Sequence, residues 1–265
     1  MKKENKYKLA ILILSVIVLF QAVLILGKRH EGTIEPEPDS PAAIKGKIAV
    51  VVDDWGYNLK NLNLLKEIQY PLSVAVLPGL AYSKLISENL HAEGFEVILH
   101  LPMQPRESEK IRLEKNTIMV DMDENRIKDI IELDLKSVPS ARGVSNHMGS
   151  KATADMVTME RVFQQLKERK LFFLDSFVAG KTACRKLAKK LNLPFAQRDI
   201  FLDNELRQEY IEGQLEKLKR KAGLKGEAIG ICHAHKVTLM ALKKTMPEIE
   251  KQGYKFVFVS ELVDK

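Results

Sequence analysis

Short apolar runs alternate with longer amphipathic stretches along most of the chain, from residue 47 onward. Most of the runs are rich in Val, Ile and Phe and last four to six residues, as strands buried on both faces of a sheet do. Strand–helix alternation repeated seven or eight times predicts a parallel sheet, either closed as a barrel or open and doubly wound. The predicted strands are Ile48–Val52, Leu72–Leu77, Glu96–Leu99, Gly143–Ser145, Leu171–Leu174, Ala196–Phe201, Ala228–Cys232 and Lys255–Val259. The predicted helices between them are Leu59–Ile68, Tyr82–Ala92, Glu124–Ser137, Met156–Arg169, Lys181–Leu191, Glu205–Ala222 and Val237–Gln252.

An apolar segment, residues 9–26, precedes this pattern and is interrupted only by Ser15 and Gln21. Its length nearly spans the hydrocarbon core of a bilayer, about 30 Å at about 1.5 Å per residue. The run is longer than the apolar part of a signal peptide and lacks a small-residue cleavage site. We therefore predict an uncleaved transmembrane anchor, with a cleaved signal segment as the alternative.

The anchor also predicts where the rest of the chain lies. Lysines within residues 1–8 favour a cytoplasmic N-terminus, so a single-pass protein would hold its body outside the cytoplasmic membrane. After cleavage the body would instead be secreted or periplasmic. Residues 27–45 are rich in proline and predict an extended tether, followed by a folded domain over residues 46–265.

The charge distribution argues against nucleic-acid binding. The chain has a formal net charge of +7, but residues 1–30 contribute +5 of it, and the remainder carries 36 basic and 34 acidic residues. A nearly neutral body has no basic footprint for DNA or RNA. Two cysteines, Cys184 and Cys232, are also too few for a disulfide-built scaffold.

Candidate chemistry lies at the predicted strand ends, because parallel α/β folds place their sites at the carboxyl ends of the strands. Each residue alone has an ordinary structural interpretation, as a helix cap or a buried core histidine. As a set, histidine and aspartate suit a zinc-like divalent ion, and metal-assisted hydrolysis is the reaction class they favour. The set is His100, His147, His233, His235, Asp53, Asp54 and Asp175.

Other reaction classes find less support in the sequence. Neither a G-x-G-x-x-G nor a G-x-x-x-x-G-K-[ST] motif is present, and a G-x-S-x-G elbow is also missing, so nucleotide cradles and that serine nucleophile are unsupported. Cys232 beside two histidines offers a thiol nucleophile, although packing is the simpler interpretation. Phosphoester cleavage would suit the same metal ligands but would need more basic residues at the strand ends than Arg198.

The order and spacing of the motifs resemble those of the divergent polysaccharide deacetylase family, distant relatives of the NodB-type carbohydrate esterases. The resemblance covers about residues 46–263 and rests on VVDDWG (51–56), VAVLP (74–78), GFEVILHLPM (94–103), GVSNHMGSKAT (143–153), LFFLDS (171–176), RDIFLDN (198–204) and HAH (233–235). It implies a distorted (β/α) barrel of about seven parallel strands. It also implies metal-dependent cleavage of a linear amide bond, removing N-acetyl groups from peptidoglycan or another N-acetylated polysaccharide.

The resemblance further implies roles for particular residues. Asp54, His100 and His147 correspond to ligands of a divalent metal, expected to be zinc. Asp53 corresponds to the general base, and His233 to the acid that protonates the leaving group. Residues expected to bind or orient the substrate are His235, Asp175, Asn146, Trp55, Arg198 and Asp199.

Two positions depart from the family pattern. Ordinary deacetylases carry their second metal histidine four residues after the first, where this chain has Gln104. The resemblance to the divergent branch implies that His147 is the second metal histidine here. The divergent branch commonly has Gly-His-Pro-His where this chain has Cys-His-Ala-His at 232–235. The substitution at Gln104 supports a second hypothesis, a catalytically silent, membrane-anchored module that binds glycans or an envelope partner.

Overall fold

The computed structural model describes residues 2–28 and 44–264, which belong to two separate units. The first unit is one helix, α1 (Lys2–Lys28). Its apolar part, Tyr7–Ile25, is long and apolar enough to cross a membrane, which is compatible with a membrane anchor or a signal sequence. Residues 29–43, most of the predicted tether, lie outside the described residues.

The second unit alternates strands and helices as the apolar pattern predicts. Its described strands are β1 (Gly46–Trp55), β2 (Ser73–Val76), β3 (Glu96–Met103), β4 (Gly143–Met148), β5 (Phe172–Asp175), β6 (Phe195–Gln197), β7 (Ile200–Phe201), β8 (Glu227–His233) and β9 (Tyr254–Val257). Its described α-helices are α2 (Leu62–Lys66), α3 (Ser83–Ala92), α4 (Glu124–Ser137), α5 (Met156–Glu168), α6 (Cys184–Leu191), α7 (Gln208–Lys225) and α8 (Lys236–Lys251).

The strands form one parallel sheet with the order β6-β5-β4-β3-β2-β1-β8-β7, and β9 pairs with the beginning of β1. The two outer strands of this order, β6 and β7, follow each other in the chain. The sheet therefore curls round until its two edges are joined by the short link between them. This arrangement confirms the predicted distorted barrel.

The link between β6 and β7 corrects one prediction, the single strand Ala196–Phe201. Arg198 N donates to the carbonyl of Asp175, on the β5 side, whereas Asp199 N donates to the carbonyl of Ile229, on the β8 side. The chain changes its pairing partner between these two residues, so one uninterrupted strand cannot form.

Burial on both faces of the sheet explains why the strands are almost continuously apolar. Along β1, Ile48, Val50 and Val52 belong to the large core beneath the helices. The alternate residues Ala49 and Val51 belong to a second, smaller core inside the curl of the sheet. Because both faces are filled, polar side chains on the strands are concentrated at the strand ends.

Candidate metal centre

A β-bulge at the end of β1 brings its two carboxylates to the same place. The pairing register with β2 shifts between Val52 and Trp55, and Asp54 has a φ of 65°, in the sparsely populated left-handed region. Adjacent residues of a regular strand point to opposite faces, but the bulge redirects one of them. As a result His100 Nε2 lies 3.6 Å from Asp53 Oδ2 and 3.2 Å from Asp54 Oδ1.

Neighbouring strands supply two imidazoles to Asp54. His100 is on β3 and His147 near the end of β4, and these strands pair in parallel. His147 Nδ1 lies 3.0 Å from Asp54 Oδ1, and the two imidazole rings meet edge to face with their centroids 5.0 Å apart. The ligand atoms of Asp54, His100 and His147 all lie within 4.8 Å of one another, so the structure brings together the three predicted metal ligands.

The geometry around Asp54 Oδ1 fits a divalent cation. Two ligands on a tetrahedral zinc ion, each bonded at about 2.0–2.1 Å, lie about 3.3 Å apart, close to the 3.2 and 3.0 Å separations to His100 and His147. Within the described part of the chain, this buried oxygen has no hydrogen-bond partner. Such atoms are rare in native proteins because leaving them unpaired is costly, and an ion held by the three side chains would remove that cost.

Ser145 supports the cluster from behind. Its hydroxyl lies 2.7 Å from His100 Nδ1, and both residues are buried. A hydrogen bond at the second ring nitrogen fixes the orientation of a metal-binding imidazole. The contact therefore leaves His100 Nε2 facing the two carboxylates.

His233, at the end of β8, joins the cluster to a further carboxylate. Its Nε2 lies 3.6 Å from Asp54 Oδ2, and its Nδ1 lies 3.2 Å from Asp203 Oδ1. The other oxygen of Asp203 accepts hydrogen bonds from His233 N at 2.8 Å and from Thr238 Oγ1 at 2.9 Å. Asp203 is a member of the site that was not predicted from the sequence. Its position directly after an apolar strand, in the RDIFLDN motif, is the sequence feature that could have indicated it.

The charges in the cluster shift one another's proton affinities. Burial is the main effect on Asp53 and raises its pKa. Burial also acts on Asp54, but the imidazoles of His100 and His147 outweigh it and hold the pKa of Asp54 below its usual range. For His233, burial opposes the charged form, yet the hydrogen bond to Asp203 prevails and raises the pKa to about 9.

Three of the residues predicted to bind or orient the substrate make hydrogen bonds around the loop that follows β5. Asn146 accepts from Ser176 N and donates to the carbonyl of Met148. Asp175 is fully buried and accepts from the backbone N–H of Phe177. Arg198 donates to the carbonyl oxygens of Ser176 and Phe177. Their polar groups are engaged with backbone, so the structure gives them a supporting position.

Asp199 belongs to the link between β6 and β7. Its carboxylate lies 2.9 Å from Lys221 Nζ and accepts from Ile229 N at 3.0 Å. These partners are on α7 and β8 and explain why the chain changes direction here. The contacts made by Asp199 therefore join secondary-structure elements.

A cleft of about 410 Å³ opens beside the cluster, within the size range of ligand sites. Trp55 is only 2% exposed, whereas Tyr57 is 48% exposed on the cleft wall. Tyr57 is therefore more accessible than Trp55 to a ligand in the cleft, and the exposed His235 lies at the cleft edge. The lining residues are Asp54, Trp55, Tyr57, Asn58, Lys60, Asn61, His233, Ala234 and His235.

Gln104, which replaces a histidine of the ordinary deacetylases, has a structural position. Its side chain accepts from Val120 N at 3.0 Å, and its backbone carbonyl accepts from Lys151 N and Ala152 N. These bonds hold residues 105–120 against the loop that follows β4. His147 is the residue that reaches Asp54 in this chain.

The curled parallel sheet has the same fold as several solved structures, among them family 4 carbohydrate esterases. The uncharacterized protein ATU2773 from Agrobacterium tumefaciens C58 superposes with a TM-score of 0.80 at 24% identity, over 85% of this chain and 92% of that one. BA3943, a CE4 family pseudoenzyme from Bacillus anthracis, superposes with a TM-score of 0.53 at 12% identity, over 85% of this chain and 67% of that one. A family 4 carbohydrate esterase from Streptomyces lividans in complex with acetate superposes with a TM-score of 0.51 at 12% identity, over 82% of this chain and 94% of that one.

The sequence comparison identifies the family more narrowly. The profile of the divergent polysaccharide deacetylases matches residues 50–263, and the chain belongs to this family, as its motifs predict. It is 35% identical over 205 residues to the uncharacterized protein YibQ of Escherichia coli strain K12, which is 77% of this chain and 64% of that protein. It is 32% identical over 207 residues to an uncharacterized protein of Haemophilus influenzae, and these residues are 77% of this chain and 73% of that protein. The matched region thus spans less than two thirds of YibQ.

Proposed function

We propose that this protein is a metal-dependent hydrolase that removes N-acetyl groups from an envelope glycan such as peptidoglycan. The observation that carries the proposal is the convergence of Asp54, His100 and His147, whose shared carboxylate oxygen has no hydrogen-bond partner among residues 2–28 and 44–264. Family membership supports the reaction class, and the His/Asp donor set supports zinc as the ion.

The roles proposed for the chain's own residues follow from their positions. Asp54, His100 and His147 would hold a divalent ion, which would lower the pKa of a water molecule and polarise an acyl carbonyl. Asp53 takes a proton from the attacking water, and its Oδ1 is buried without a hydrogen-bond partner among the described residues. His233, held protonated by Asp203, donates a proton from Nε2 to the departing amine. A C–O bond forms to water and the amide C–N bond breaks, giving acetate and a free amine.

The proposed setting is the outside of the cytoplasmic membrane, where envelope glycans lie. In this proposal the apolar helix anchors the chain with its N-terminus in the cytoplasm, and residues 27–45 tether residues 46–265 to it. Cleavage of the helix as a signal segment would give a secreted or periplasmic enzyme instead. Protease accessibility in intact cells and in spheroplasts, together with the apparent mass of the mature chain, distinguishes these two forms.

Acetate release from N-acetylglucosamine oligomers tests the proposed activity. We expect zinc-loaded full-length protein to release acetate and Asp53→Asn to lose about 10²–10⁴-fold in turnover while keeping its metal. His100→Ala should lose both metal and activity. His91→Ala, which changes an exposed histidine on α3, is the matched control. A metal-loaded wild type that releases no acetate from any N-acetylated glycan would refute the proposal.

The alternative function is a catalytically silent module that binds glycans or an envelope partner through the same cleft. The observation that favours it is Gln104 in the place of a metal histidine. Glycan binding that survives removal of the metal by a chelator, with no acetate released by the loaded protein, would select this alternative.

A further inference from the structure

His233 also belongs to a second group of potential metal ligands, on the side of its ring that faces Asp203. Asp203, His233 and His235 each offer a ligand atom, and these atoms all lie within 4.8 Å of one another. They come from the segment after β7, the end of β8 and the residue that precedes α8. Asp203 is buried, His233 is half-buried and His235 is exposed, so the group reaches from the interior to the cleft.

The separation of two ligand atoms in this group is close to the separations in the first cluster. His233 Nδ1 and Asp203 Oδ1 lie 3.2 Å apart, close to the separation of about 3.3 Å between two ligands on a tetrahedral zinc ion. The carboxylate is already fixed, because its other oxygen accepts from His233 N and Thr238 Oγ1. Such outer contacts orient the first ligands of a metal site. Asp203 Oδ1 therefore faces the imidazole without any rearrangement.

We infer that Asp203, His233 and His235 form a second site for a zinc-like divalent ion, weaker than the site at Asp54. The weakness has a physical cause. The ion must displace the proton that His233 Nδ1 shares with Asp203, so an existing hydrogen bond is lost and that proton goes to solvent. In addition, His235 is exposed, whereas each ligand of the first cluster is buried or half-buried.

Occupation of the second site would have a functional consequence, which rests on the proposed function. An ion bound at Nδ1 would engage His233, the residue proposed to protonate the leaving amine, and would take the place of its contact with Asp203. Zinc beyond one equivalent should therefore inhibit acetate release. The open cleft beside His235 gives the ion a path to the site.

Calorimetric titration of metal-free, full-length protein in detergent micelles with zinc chloride tests the second site without using activity. Wild type should bind two ions with different affinities, His235→Gln should weaken the second ion at least tenfold, and Asp203→Asn should do the same. His100→Ala should lose the tight ion and keep the weak one, while His91→Gln should match wild type. Circular dichroism checks the folding of each variant.

Two results would overturn the inference: a one-ion isotherm for wild type, or a weak ion whose affinity is unchanged in His235→Gln and in Asp203→Asn. The activity measurement is separate from this test. If no acetate is released under any condition, the proposed function fails, and the calorimetric stoichiometry still decides whether the second site exists.

Discussion

Each end of the barrel has a carboxylate with a buried oxygen that lacks a hydrogen-bond partner among the described residues, yet only one of the two resembles a metal site. At the carboxyl end, Asp54 Oδ1 faces the ring nitrogens of His100 and His147. At the amino end, Glu96 Oε1 accepts from Ser73 Oγ at 2.7 Å and from Ser260 N at 3.2 Å. An imidazole nitrogen can exchange its proton for a metal ion, whereas the Ser73 hydroxyl and the Ser260 N–H keep their protons and donate them to Glu96. The neighbours of a buried carboxylate therefore decide whether it binds metal or holds the fold.

A third carboxylate, Asp134 on α4, extends the comparison. Asn116 approaches one of its oxygens at 3.4 Å, and the other has no hydrogen-bond partner in the parts of the chain described. Burial without a cationic neighbour raises the pKa of Asp134 to about 7. Asp54, by contrast, is kept ionised by its two imidazoles.

The largest effect expected is on zinc binding when the Asp54 carboxylate is removed. Asp54→Ala deletes the ligand that lies between the two imidazoles, so zinc affinity should fall by more than the about 10–100-fold typical of losing an outer contact. Calorimetric titration with zinc measures this change. Asp129→Ala, at an exposed site on α4, is the control, and equal affinities in the two variants would contradict the assignment of Asp54.

The next effect concerns pH and Asp134. Because its pKa is higher in the folded state than in the unfolded chain, the folded protein binds more protons, and the stability contributed by this group is lost as pH rises through about 7. Between pH 5 and pH 8, the free energy of unfolding of wild type should fall by about 2–3 kcal/mol more than that of Asp134→Asn. Denaturant unfolding, followed by the fluorescence of the single tryptophan, Trp55, measures the difference. Parallel pH profiles would refute the raised pKa.

A smaller loss is expected at the amino end of the barrel. Glu96→Ala leaves the Ser73 hydroxyl and the Ser260 N–H without their acceptor, which should cost about 1–3 kcal/mol in the free energy of unfolding. Zinc affinity should not change. Glu88→Ala, on the exposed face of α3, should stay within about 0.5 kcal/mol of wild type. A drop in zinc affinity for Glu96→Ala would erase the contrast between the two ends.

The smallest effect expected is at Ser145. Removal of its hydroxyl frees His100 Nδ1 but leaves every proposed ligand in place, so Ser145→Ala should lower zinc affinity about tenfold. The matched control is Ser87→Ala, since Ser87 is also a buried serine and its hydroxyl has no partner among residues 2–28 and 44–264. If both variants bind zinc as wild type does, Ser145 does not position His100.

Local signals predicted much of the fold correctly. The helix Glu124–Ser137 has the predicted bounds, because the Asp123 side chain accepts from Arg126 N and caps its first turn. The helix predicted to end at Ala222 continues to Lys225, since the glycine that takes a left-handed φ, 86°, is Gly226. Helix ends therefore depend on which of several nearby residues leaves the helical conformation, and the sequence does not settle that choice.

Features that depend on distant parts of the chain were harder to predict. The break between β6 and β7 depends on which strand each of them pairs with, and the role of Asp203 depends on His233, thirty residues later. The bulge at Asp54 directly follows an apolar strand, and the sequence of that strand does not indicate it. The order of the family motifs did indicate which histidines and aspartates share one edge of the sheet.

The most direct measurement is X-ray diffraction at the zinc absorption edge from crystals soaked in zinc. We expect the strongest anomalous peak at about 2.0–2.2 Å from each of Asp54 Oδ1, His100 Nε2 and His147 Nδ1. No peak between these three atoms, or side chains that point away from one another around an ion bound elsewhere, would contradict it.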